Sequence, residues 1–381
     1  MKKVLFVIPN LSTGGTTSSL SSLIRIVSNV SNISVFALAH EGNLNIDFKS
    51  QILPKDILIH AWNCTFDAAK GFERLIILLI KLLKRLSILF KIDVEQIIYK
   101  KYIDKTLSHY DIIVGFQEGV PTRFASLFSD AHKIAWVHCD YKKYPYCSQE
   151  LELYQKFDKI VCVSNFTLKK FLEIYPEFQG RAIAIKNLLN TEYILNKAGE
   201  NVNDIEIKPN TFNIISMGRL VSLKRFQNIP AIAKELVEKG CNFKWYILGP
   251  HYNDNIYINL LADIKRYGLH EIVLYLGDKF NPYPYLSRSQ LFVSLSETEA
   301  CPMVFNEAKV LGVPVLTSDF GSSYEFIANG IDGYITSFEH ISDCLYELMT
   351  DKERYTRIKQ KLISSHYSNS DSIMLLYNLF S

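Results

Sequence analysis

The stretch LFVSLSETEACPMVFNEA, residues 291–308, decides the fold class because it holds a strand, a loop and a helix in direct succession. Leu291–Leu295 is a short, mainly apolar run, which predicts a buried strand. Glu299 falls on the loop, and Glu307 falls one or two turns into the helix. The backbone N–H groups around Cys301–Val304 form a helix N-terminus, which attracts anions or sugar hydroxyls. Taken alone, the two glutamates could equally be a helix charge and a capping acid.

Short apolar runs of this kind alternate with helical patterns along the rest of the chain. Most are rich in Val, Ile or Leu and alternate little, which is typical of parallel strands covered on both faces. One intervening helix is predicted at Phe226–Lys239. The pattern predicts an α/β fold with two doubly wound domains. The predicted strands are 4–8, 33–37, 57–60, 112–116, 133–137 and 160–163 in the first half, and 212–217, 244–248, 272–276, 291–295 and 313–317 in the second.

A mostly polar stretch, Asn190–Asn210, is predicted to link the two domains, since it is rich in Asn, Glu and Lys and contains Gly199 and Pro209. Ligands of open α/β sheets bind beyond the carboxyl ends of the strands, so two such domains facing each other are expected to hold a substrate in the cleft between them. Residues 366–381 carry apolar side chains at helical spacing and predict a last helix.

Composition excludes several classes of protein. The chain has 381 residues, 48% of them apolar and 21% charged, which excludes wholesale disorder. Its net charge of +3 does not indicate a nucleic-acid binder. The seven cysteines are odd in number and none are spaced Cys-x-x-Cys, so neither a disulfide framework nor a zinc site is predicted, and a reducing cytosol fits. No segment has the roughly 18 uninterrupted apolar residues of a membrane-spanning helix.

Charge is unevenly distributed between the two halves. Residues 1–190 carry 24 basic and 17 acidic side chains, whereas the remaining residues carry 18 and 22. Most of the basic excess lies in residues 70–91, KGFERLIILLIKLLKRLSILFK. A basic amphipathic helix is expected to lie in the headgroup region of an anionic bilayer, although a helix packed on the sheet with its basic side in water would show the same pattern. The basic stripe consists of Lys70, Arg74, Lys81, Lys84, Arg85 and Lys91.

Two further loops carry residues suited to phosphate. Met217–Arg225 follows a predicted strand, and its Arg219 and Lys224 can both reach a diphosphate, although most Lys and Arg side chains are simply solvated surface charge. Gly14 and Gly15 link the first strand to a helix, where adjacent glycines allow close approach and helix amides favour phosphate. No Gly-Lys-Ser/Thr follows, and the third glycine of a dinucleotide fingerprint is missing, so a nicotinamide enzyme is not predicted.

Together these segments closely resemble the retaining glycosyltransferases of family four, which have the GT-B fold, two Rossmann-like domains facing across a cleft. The resemblance is most specific in residues 277–334. It implies an N-terminal acceptor-binding domain of residues 1–195 plus a returning helix at 366–381, and a donor-binding domain of residues 206–365. The other segments that carry it are KKVLFVIPNLSTGG (2–15), YDIIVGFQEG (110–119), AWVHCDY (135–141), DKIVCVSNF (158–166), GRLVSLKRFQNI (218–229) and YILGP (246–250).

The resemblance implies roles in the second domain. Arg219 and Lys224 match the basic pair that holds the diphosphate of the donor. Glu307 matches the glutamate that holds the ribose, and Glu299 the one beside the hydroxyls and leaving bond of the donor sugar. The backbone of Pro302, Met303 and Val304 matches a loop that binds sugar hydroxyls and phosphate, and Lys279 lies in the segment on which the base stacks.

In the first domain, Gly14 and Gly15 match the glycine loop that faces the diphosphate and the acceptor. His138 matches the histidine near the 6-hydroxyl of the donor sugar, and Glu118 and Asp140 are placed on the acceptor side. The chain departs from the family pattern at three places: Ala300-Cys301-Pro302 replaces Gly-Phe-Gly, Thr16-Thr17-Ser18 replaces Ala-Glu-Arg, and Cys139 separates His138 from Asp140.

The implied activity is transfer of a hexosyl or N-acetylhexosaminyl unit, with retention, from a nucleoside-diphosphate sugar to a hydroxyl of a growing, lipid-linked glycan. UDP is the expected nucleotide, and the expected process is capsule, O-antigen or exopolysaccharide synthesis in a bacterium. Neither a cofactor nor a metal is expected, because Arg219, Lys224 and helix amides would stabilise the leaving diphosphate.

The expected partners are the nucleotide sugar, a polyprenyl-diphosphate-linked acceptor and an anionic membrane, with no nucleic acid. The expected location is the cytoplasm, peripheral to the inner face of the plasma membrane. One alternative is a non-catalytic nucleotide-sugar-binding or membrane scaffold protein on a degenerate GT-B frame. Another is a sugar-nucleotide epimerase, which would act without an acceptor.

Overall fold

The computed structural model describes residues 1–11, 14–38, 58–61, 100, 103–107, 109–205, 211–251, 254–364 and 367–380. The chain divides into two compact units. Unit 1 consists of Met1–Leu188 and Asn369–Ser381, and unit 2 consists of Leu189–Ser368.

Unit 1 is built on a parallel sheet. Its strands are β1 (Lys2–Ile8), β2 (Ser31–Ala37), β3 (Leu58–Ala61), β4 (Ile112–Gly115), β5 (His132–Val137), β6 (Lys159–Cys162) and β7 (Ala182–Ala184). Their order is β3-β2-β1-β4-β5-β6-β7, so the winding reverses between β1 and β4, as in a doubly wound domain. Among the described residues up to Leu188, the α-helices are α1 (Gly15–Val27), α2 (Val120–Ala125), α3 (Leu151–Tyr154) and α4 (Asn165–Leu172), and other short helical segments lie at Ile103–Leu107, Tyr141–Lys143 and Pro176–Phe178.

Unit 2 repeats this plan. Its helices are α5 (Thr191–Ala198), α6 (Ile229–Glu238), α7 (Asp254–Arg266), α8 (Tyr283–Ser287), α9 (Met303–Val310), α10 (Ser323–Phe326), α11 (Ile341–Thr350) and α12 (Lys352–Ser364), with 3₁₀ turns at Ser222–Lys224, Phe226–Asn228 and Phe338–His340. Its strands are β8 (Phe212–Met217), β9 (Phe243–Leu248), β10 (Val273–Gly277), β11 (Leu291–Ser294), β12 (Val315–Ser318) and β13 (Gly333–Thr336). The order is β10-β9-β8-β11-β12-β13, and each adjacent pair is parallel.

The sheet of unit 2 is buried on both faces, which explains its near-continuous apolar runs. On β9, Trp245 joins the hydrophobic cluster of one face, together with Leu236 of α6. Its neighbour Tyr246 joins the cluster of the other face, together with Phe305 of α9. Successive side chains of a strand point to opposite faces, so a strand that helices cover on both faces can be apolar at consecutive positions, as at Trp245 and Tyr246.

The structure ends with α13 (Ser370–Phe380), which belongs to unit 1 and packs against α1. Leu376 and Phe380 of this helix are buried, and the Phe380 ring lies 5.8 Å from the ring of Phe6 on β1. The expected last helix is therefore present.

These observations confirm the predicted α/β class and its two doubly wound domains. Each predicted strand is present within two residues of its expected bounds. The prediction missed the edge strands β7 and β13, which are three and four residues long and only partly buried. It also began α6 three residues early, because a 3₁₀ turn at Phe226–Asn228 precedes the helix and Pro230 occupies its first turn.

The predicted linker, 190–210, is wrong for residues 191–198, which form α5. The Asn190 side chain caps this helix by accepting a hydrogen bond of 3.1 Å from the backbone N–H of Tyr193. Ile194 is the one buried residue of α5, and it packs with Tyr283 and Met303 of unit 2. The helix is only eight residues long and lies in a stretch rich in Asn, Glu and Lys, so the sequence analysis assigned it to a linker.

Candidate functional site

Two loops of unit 2 meet at the carboxyl edge of its sheet. Because β8 and β11 are neighbours, the loops that follow them, 218–225 and 295–302, leave the sheet side by side. The backbone N–H of Glu297 donates to the carbonyl oxygen of Leu223 over 2.9 Å and joins the two loops. We call them the basic loop (218–225) and the glutamate loop (295–302). They contain four of the residues that the sequence analysis singled out.

Two glycines set the position of the basic loop. The Gly218 N–H donates to the carbonyl oxygen of Leu248 over 2.9 Å. A Cβ atom on Gly249 would lie only 1.9 Å from the Gly218 oxygen, and the φ of Gly249, 139°, is one that L side chains rarely adopt. The backbone of the loop therefore rests directly on the backbone of Gly249, and no side chain fits between them.

Substituting Gly249→Ala is expected to displace the basic loop and to lower both stability and nucleotide affinity. Gly268→Ala is the matched control, because Gly268 also has a positive φ, 69°, but open space around it. We expect the control to lose about 1 kcal/mol through backbone strain alone. Gly249→Ala should lose at least about 2 kcal/mol more, because atoms collide in a packed region. Chemical denaturation measures both, and equal losses would contradict the close approach described above.

Lys224 and Glu299 form an ion pair across the two loops. Their side chains are 23% and 16% exposed, so water screens the pair less than it screens a surface pair. The Ser296 hydroxyl donates to Oε1 of Glu299 over 2.8 Å, and the Ser322 hydroxyl donates to the Glu299 backbone oxygen over 2.6 Å. The site thus holds a cation beside a carboxylate that is fixed through both its side chain and its backbone.

The two arginines of the basic loop differ in their surroundings. Arg219 is exposed and forms no ion pair with any residue that the structure describes. Arg225 has a φ of 53° and is the one non-glycine residue with a positive φ in the described parts of the chain. Its guanidinium donates to Oε1 of Glu297 over 2.9 Å and stacks 4.7 Å from the centre of the Phe338 ring. These contacts hold Arg225 in a strained backbone conformation next to Lys224. Arg219 lies exposed on the same loop and is open to a ligand.

Glu307 lies on α9 and is buried, with 8% of its surface exposed. Burial raises the pKa of Glu307 to about 7. The Tyr283 hydroxyl donates one long hydrogen bond of 3.4 Å to its carboxylate, which acts to lower the pKa. A buried carboxylate with a single weak donor is under-satisfied and can accept further hydrogen bonds from a ligand. Tyr283 was not recognised from the sequence, since nothing in its neighbourhood marks it.

The glutamate loop runs into the N-terminus of α9. Pro302 and Met303 are buried, whereas Val304 is partly exposed. The N–H of Phe305 donates to the Pro302 oxygen over 3.1 Å, which starts the helix. The first N–H groups of any helix have no partner within it, so this turn can donate to an anion or a hydroxyl.

Lys279 is engaged within unit 2. Its ammonium lies 2.6 Å from Oδ2 of Asp204. The Tyr285 hydroxyl donates to the same carboxylate, 2.7 Å from Oδ1 and 2.9 Å from Oδ2. Burial by itself raises the pKa of Asp204, but the Lys279 and Tyr285 hydrogen bonds outweigh it and lower the pKa. The sequence did not reveal Asp204, because it comes from the polar stretch that was assigned to a linker.

In unit 1, the glycine pair lies at the start of a helix, as expected. Gly14 precedes α1 and Gly15 begins it. A Cβ atom on Gly14 would meet nothing within 4 Å, so the backbone is open there. The first turn of α1 is therefore accessible, in keeping with the proposed approach of a phosphate.

His138 and Glu118 are joined directly in unit 1. The backbone N–H of His138 donates to Oε2 of Glu118 over 2.8 Å. Burial raises the pKa of Glu118, and this hydrogen bond opposes the effect. Burial also lowers the pKa of His138 to about 3, so its imidazole is neutral at physiological pH. Its ring packs 4.7 Å from Phe116, and its buried Nε2 has no hydrogen-bond partner within the described structure.

The other two residues after β5 have different surroundings. Burial raises the pKa of the Cys139 thiol, so this cysteine is protonated at neutral pH. Asp140 precedes the 3₁₀ turn Tyr141–Lys143, and its backbone oxygen accepts from the N–H of Lys143 over 2.9 Å. Cys139 is thus an inert thiol rather than a nucleophile.

Sequence reasoning missed a buried acid in unit 1, Glu150, which is 3% exposed. Its carboxylate accepts from Arg123 over 3.0 Å and from the Tyr141 hydroxyl over 3.2 Å, and its N–H donates to the Tyr175 hydroxyl over 2.9 Å. Only the density of tyrosines around residues 141–154 could have drawn attention to it. These hydrogen bonds tie Glu150 to three separate segments of unit 1.

The basic stripe, with Lys81, Lys84, Arg85 and Lys91, lies outside the described residues. Among the helices that the structure describes, none combines the length and the apolar character needed to cross a membrane. The same parts of the chain contain no cluster of three or more His, Cys, Asp or Glu side chains suited to a metal ion.

Comparison with known proteins identifies a family match. Residues 198–363 match the model of the family described as glycosyl transferases group 1. The chain is 26% identical over 236 residues to the O-antigen biosynthesis glycosyltransferase WbnH of Escherichia coli, covering 61% of this chain and 63% of that protein. It is 29% identical over 170 residues to an N-acetylgalactosamine-N,N'-diacetylbacillosaminyl-diphospho-undecaprenol 4-alpha-N-acetylgalactosaminyltransferase of Campylobacter jejuni, covering 45% and 44%. Less than two thirds of either relative is matched.

The fold is similar to that of solved GT-B glycosyltransferases. The crystal structure of Anabaena Alr3699/HepE in complex with UDP and glucose aligns with a TM-score of 0.75 at 15% identity, covering 100% of this chain and 99% of that chain. The two Rossmann-like units described above are thus those of the GT-B fold.

Proposed function

We propose that this chain, whose residues 198–363 match the group 1 glycosyl transferases, moves a hexosyl or N-acetylhexosaminyl unit from a nucleoside-diphosphate sugar to a hydroxyl of a growing glycan. The observation that carries the proposal is the Lys224–Glu299 pair, which joins the basic loop and the glutamate loop after two adjacent strands. It sets a cation suited to a diphosphate beside a carboxylate suited to sugar hydroxyls, and the exposed Arg219 lies on the same loop.

The donor would be held by unit 2 in three parts. Arg219 and Lys224 bind the diphosphate, the arginine as a bidentate donor and the lysine as a point charge. The under-satisfied carboxylate of Glu307 accepts hydrogen bonds from the ribose hydroxyls. Glu299 accepts from hydroxyls of the sugar, and the first turn of α9 at Pro302, Met303 and Val304 donates to sugar or phosphate oxygens.

The chemical step breaks the bond between the anomeric carbon and the phosphate oxygen, and the electron pair leaves with the diphosphate. Arg219, Lys224 and the α9 amides stabilise that charge, which is the kind of preorganised contribution that usually dominates catalysis. The acceptor hydroxyl then attacks the face that the diphosphate leaves, and its proton passes to the leaving phosphate oxygen. This route retains the anomeric configuration and needs neither a second carboxylate nor a metal.

UDP is the proposed nucleotide. Its support is the structure of Anabaena Alr3699/HepE, which has the same fold and is in complex with UDP and glucose. A thermal-shift screen of UDP, GDP, UDP-glucose, UDP-N-acetylglucosamine and GDP-mannose tests it, since a ligand that binds only the folded protein raises its stability by mass action. Release of UDP from the stabilising sugar nucleotide then distinguishes an enzyme from a binding protein. If no nucleotide raises the midpoint, the proposal is wrong.

The proposed acceptor is a polyprenyl-diphosphate-linked glycan of capsule, O-antigen or exopolysaccharide synthesis. It is supported by the names of the matched relatives, one of which acts on a diphospho-undecaprenol substrate. From the sequence resemblance alone, we propose that Gly14, Gly15 and His138 serve the donor and that Glu118 and Asp140 lie on the acceptor side. We place the enzyme on the cytoplasmic face of the plasma membrane as a peripheral protein.

Membrane contact through the basic stripe has a direct test. The wild type is expected to sediment with liposomes that contain anionic lipid and not with neutral ones. Replacing Lys81, Lys84 and Arg85 with Gln should release it, whereas the same change at the surface residues Lys234, Lys239 and Lys359 of unit 2 should not. The proposal fails if the wild type stays in the supernatant with anionic liposomes.

A further inference from the structure

A chain of serine hydroxyls leads to Glu299. The Ser294 hydroxyl donates to Oγ of Ser296 over 3.1 Å, and the Ser296 hydroxyl donates to Oε1 of Glu299 over 2.8 Å. Ser296 is only 2% exposed, and its backbone oxygen accepts from the Ser318 hydroxyl over 2.5 Å. A serine hydroxyl carries one proton. The oxygen of Ser296 accepts the hydrogen bond from Ser294, and its single proton is donated to the Glu299 carboxylate.

Glu299 has a second partner, the ammonium of Lys224. Oε1 of Glu299 receives both the Ser296 hydroxyl and the Lys224 ammonium. If Lys224 turns to a diphosphate, the carboxylate loses its counter-charge while it is still largely buried. An uncompensated buried charge moves, takes up a proton or destabilises its surroundings. The hydroxyl of Ser296 is then the hydrogen bond that still holds it.

We propose that Ser296 is a positioning residue, whose hydroxyl holds the Glu299 carboxylate in place while Lys224 exchanges it for the diphosphate of a nucleotide-sugar donor. This inference rests on the proposed function. Ser296 does not touch the sugar; it fixes the group that does. Its loss should therefore slow the reaction of bound donor more than it weakens donor binding.

The first test compares Ser296→Ala with Ser289→Ala. The control removes an equally buried hydroxyl of unit 2, 5% exposed, which donates to the Tyr285 backbone oxygen over 2.9 Å and lies outside the site. The release of UDP from UDP-glucose is followed at several donor concentrations. Ser296→Ala is expected to lower kcat about tenfold with KM within about twofold, as loss of one hydrogen bond to a charged group predicts. Equal kinetics for the two variants would overturn the inference.

The second test needs no turnover. Denaturation midpoints are measured for Ser296→Ala, Glu299→Ala and the double variant in the absence of nucleotide. If the hydroxyl acts through the carboxylate, the destabilisation by Ser296→Ala should fall to less than half in the Glu299→Ala background. An unchanged destabilisation in that background overturns the inference. A wild type that neither binds nor cleaves UDP-sugars contradicts the proposed function instead, and the cycle then still tests whether the Ser296 hydroxyl acts through the Glu299 carboxylate.

Discussion

Replacing Lys224 with Ala is expected to lower kcat about 100- to 1000-fold while the KM for the donor rises less than about fivefold. In the ligand-free protein the ammonium is already neutralised by Glu299, so its charge contributes little to ground-state binding. As the glycosidic bond breaks, charge builds on the diphosphate, and the attraction to Lys224 becomes strongest there. Steady-state release of UDP from the donor identified by thermal shift gives both constants.

The matched control for this substitution is Lys234→Ala. Lys234 is 49% exposed and pairs with Glu238 one helical turn away on α6, so its removal should leave both constants unchanged. The thermal midpoint of Lys224→Ala must be measured as well, because the variant leaves a largely buried carboxylate unpaired. A folded Lys224→Ala protein with wild-type kcat would show that the basic loop is not the diphosphate site.

Replacing Glu307 with Gln is expected to stabilise the ligand-free protein at alkaline pH and to weaken nucleotide binding. Burial raises the pKa of Glu307 from 4.5 to about 7, so the folded state keeps a proton that the unfolded chain loses between these values. The native state thus binds more protons in this window, and the free energy of unfolding falls as the pH rises through it. Above the window, the charged carboxylate costs about 3 kcal/mol.

Denaturation at pH 4.5 and pH 8.5 separates these effects. The stability gained by Glu307→Gln should be close to zero at the lower pH and about 3 kcal/mol at the higher one. Glu271→Gln, at an exposed position, should show no such change. UDP affinity should fall about tenfold in Glu307→Gln, because hydrogen bonds to a charged acceptor are stronger than those to an amide. If the stability difference between Glu307→Gln and the wild type does not depend on pH, then folding does not raise the pKa of Glu307.

The sequence predicted what depends on patterns that extend over many residues. The central strands β8 and β11 are mainly apolar because helices cover both faces, and such runs are visible without a structure. The edge strands β7 and β13 offer no comparable signal, since they are short and only partly buried. Helix α5 was missed for a related reason, because its single buried side chain makes a contact that only the folded unit defines.

The same distinction applies to the site. The residue types and spacing of Arg219, Lys224, Glu299 and Glu307 could be read from the chain, and the order of strands brings the loops of the first three together. The pairing of Lys224 with Glu299 could not be predicted, because it depends on how each loop bends after its strand. Nor could the donors to the carboxylates, Ser296 and Tyr283, be identified, since serines and tyrosines are too common in this sequence to single out one of each.

The return of the chain to unit 1 through α13 has a consequence for biosynthesis. Unit 2 is one continuous segment, whereas unit 1 includes Asn369–Ser381, which the ribosome makes after the whole of unit 2. Domains generally fold as units during synthesis, so unit 2 can complete its core while Phe6 and α1 still lack the side chains of Leu376 and Phe380. The nascent unit 1 must therefore stay partly uncovered until the ribosome has passed residue 380. Truncation after residue 368 would make that vulnerable state permanent.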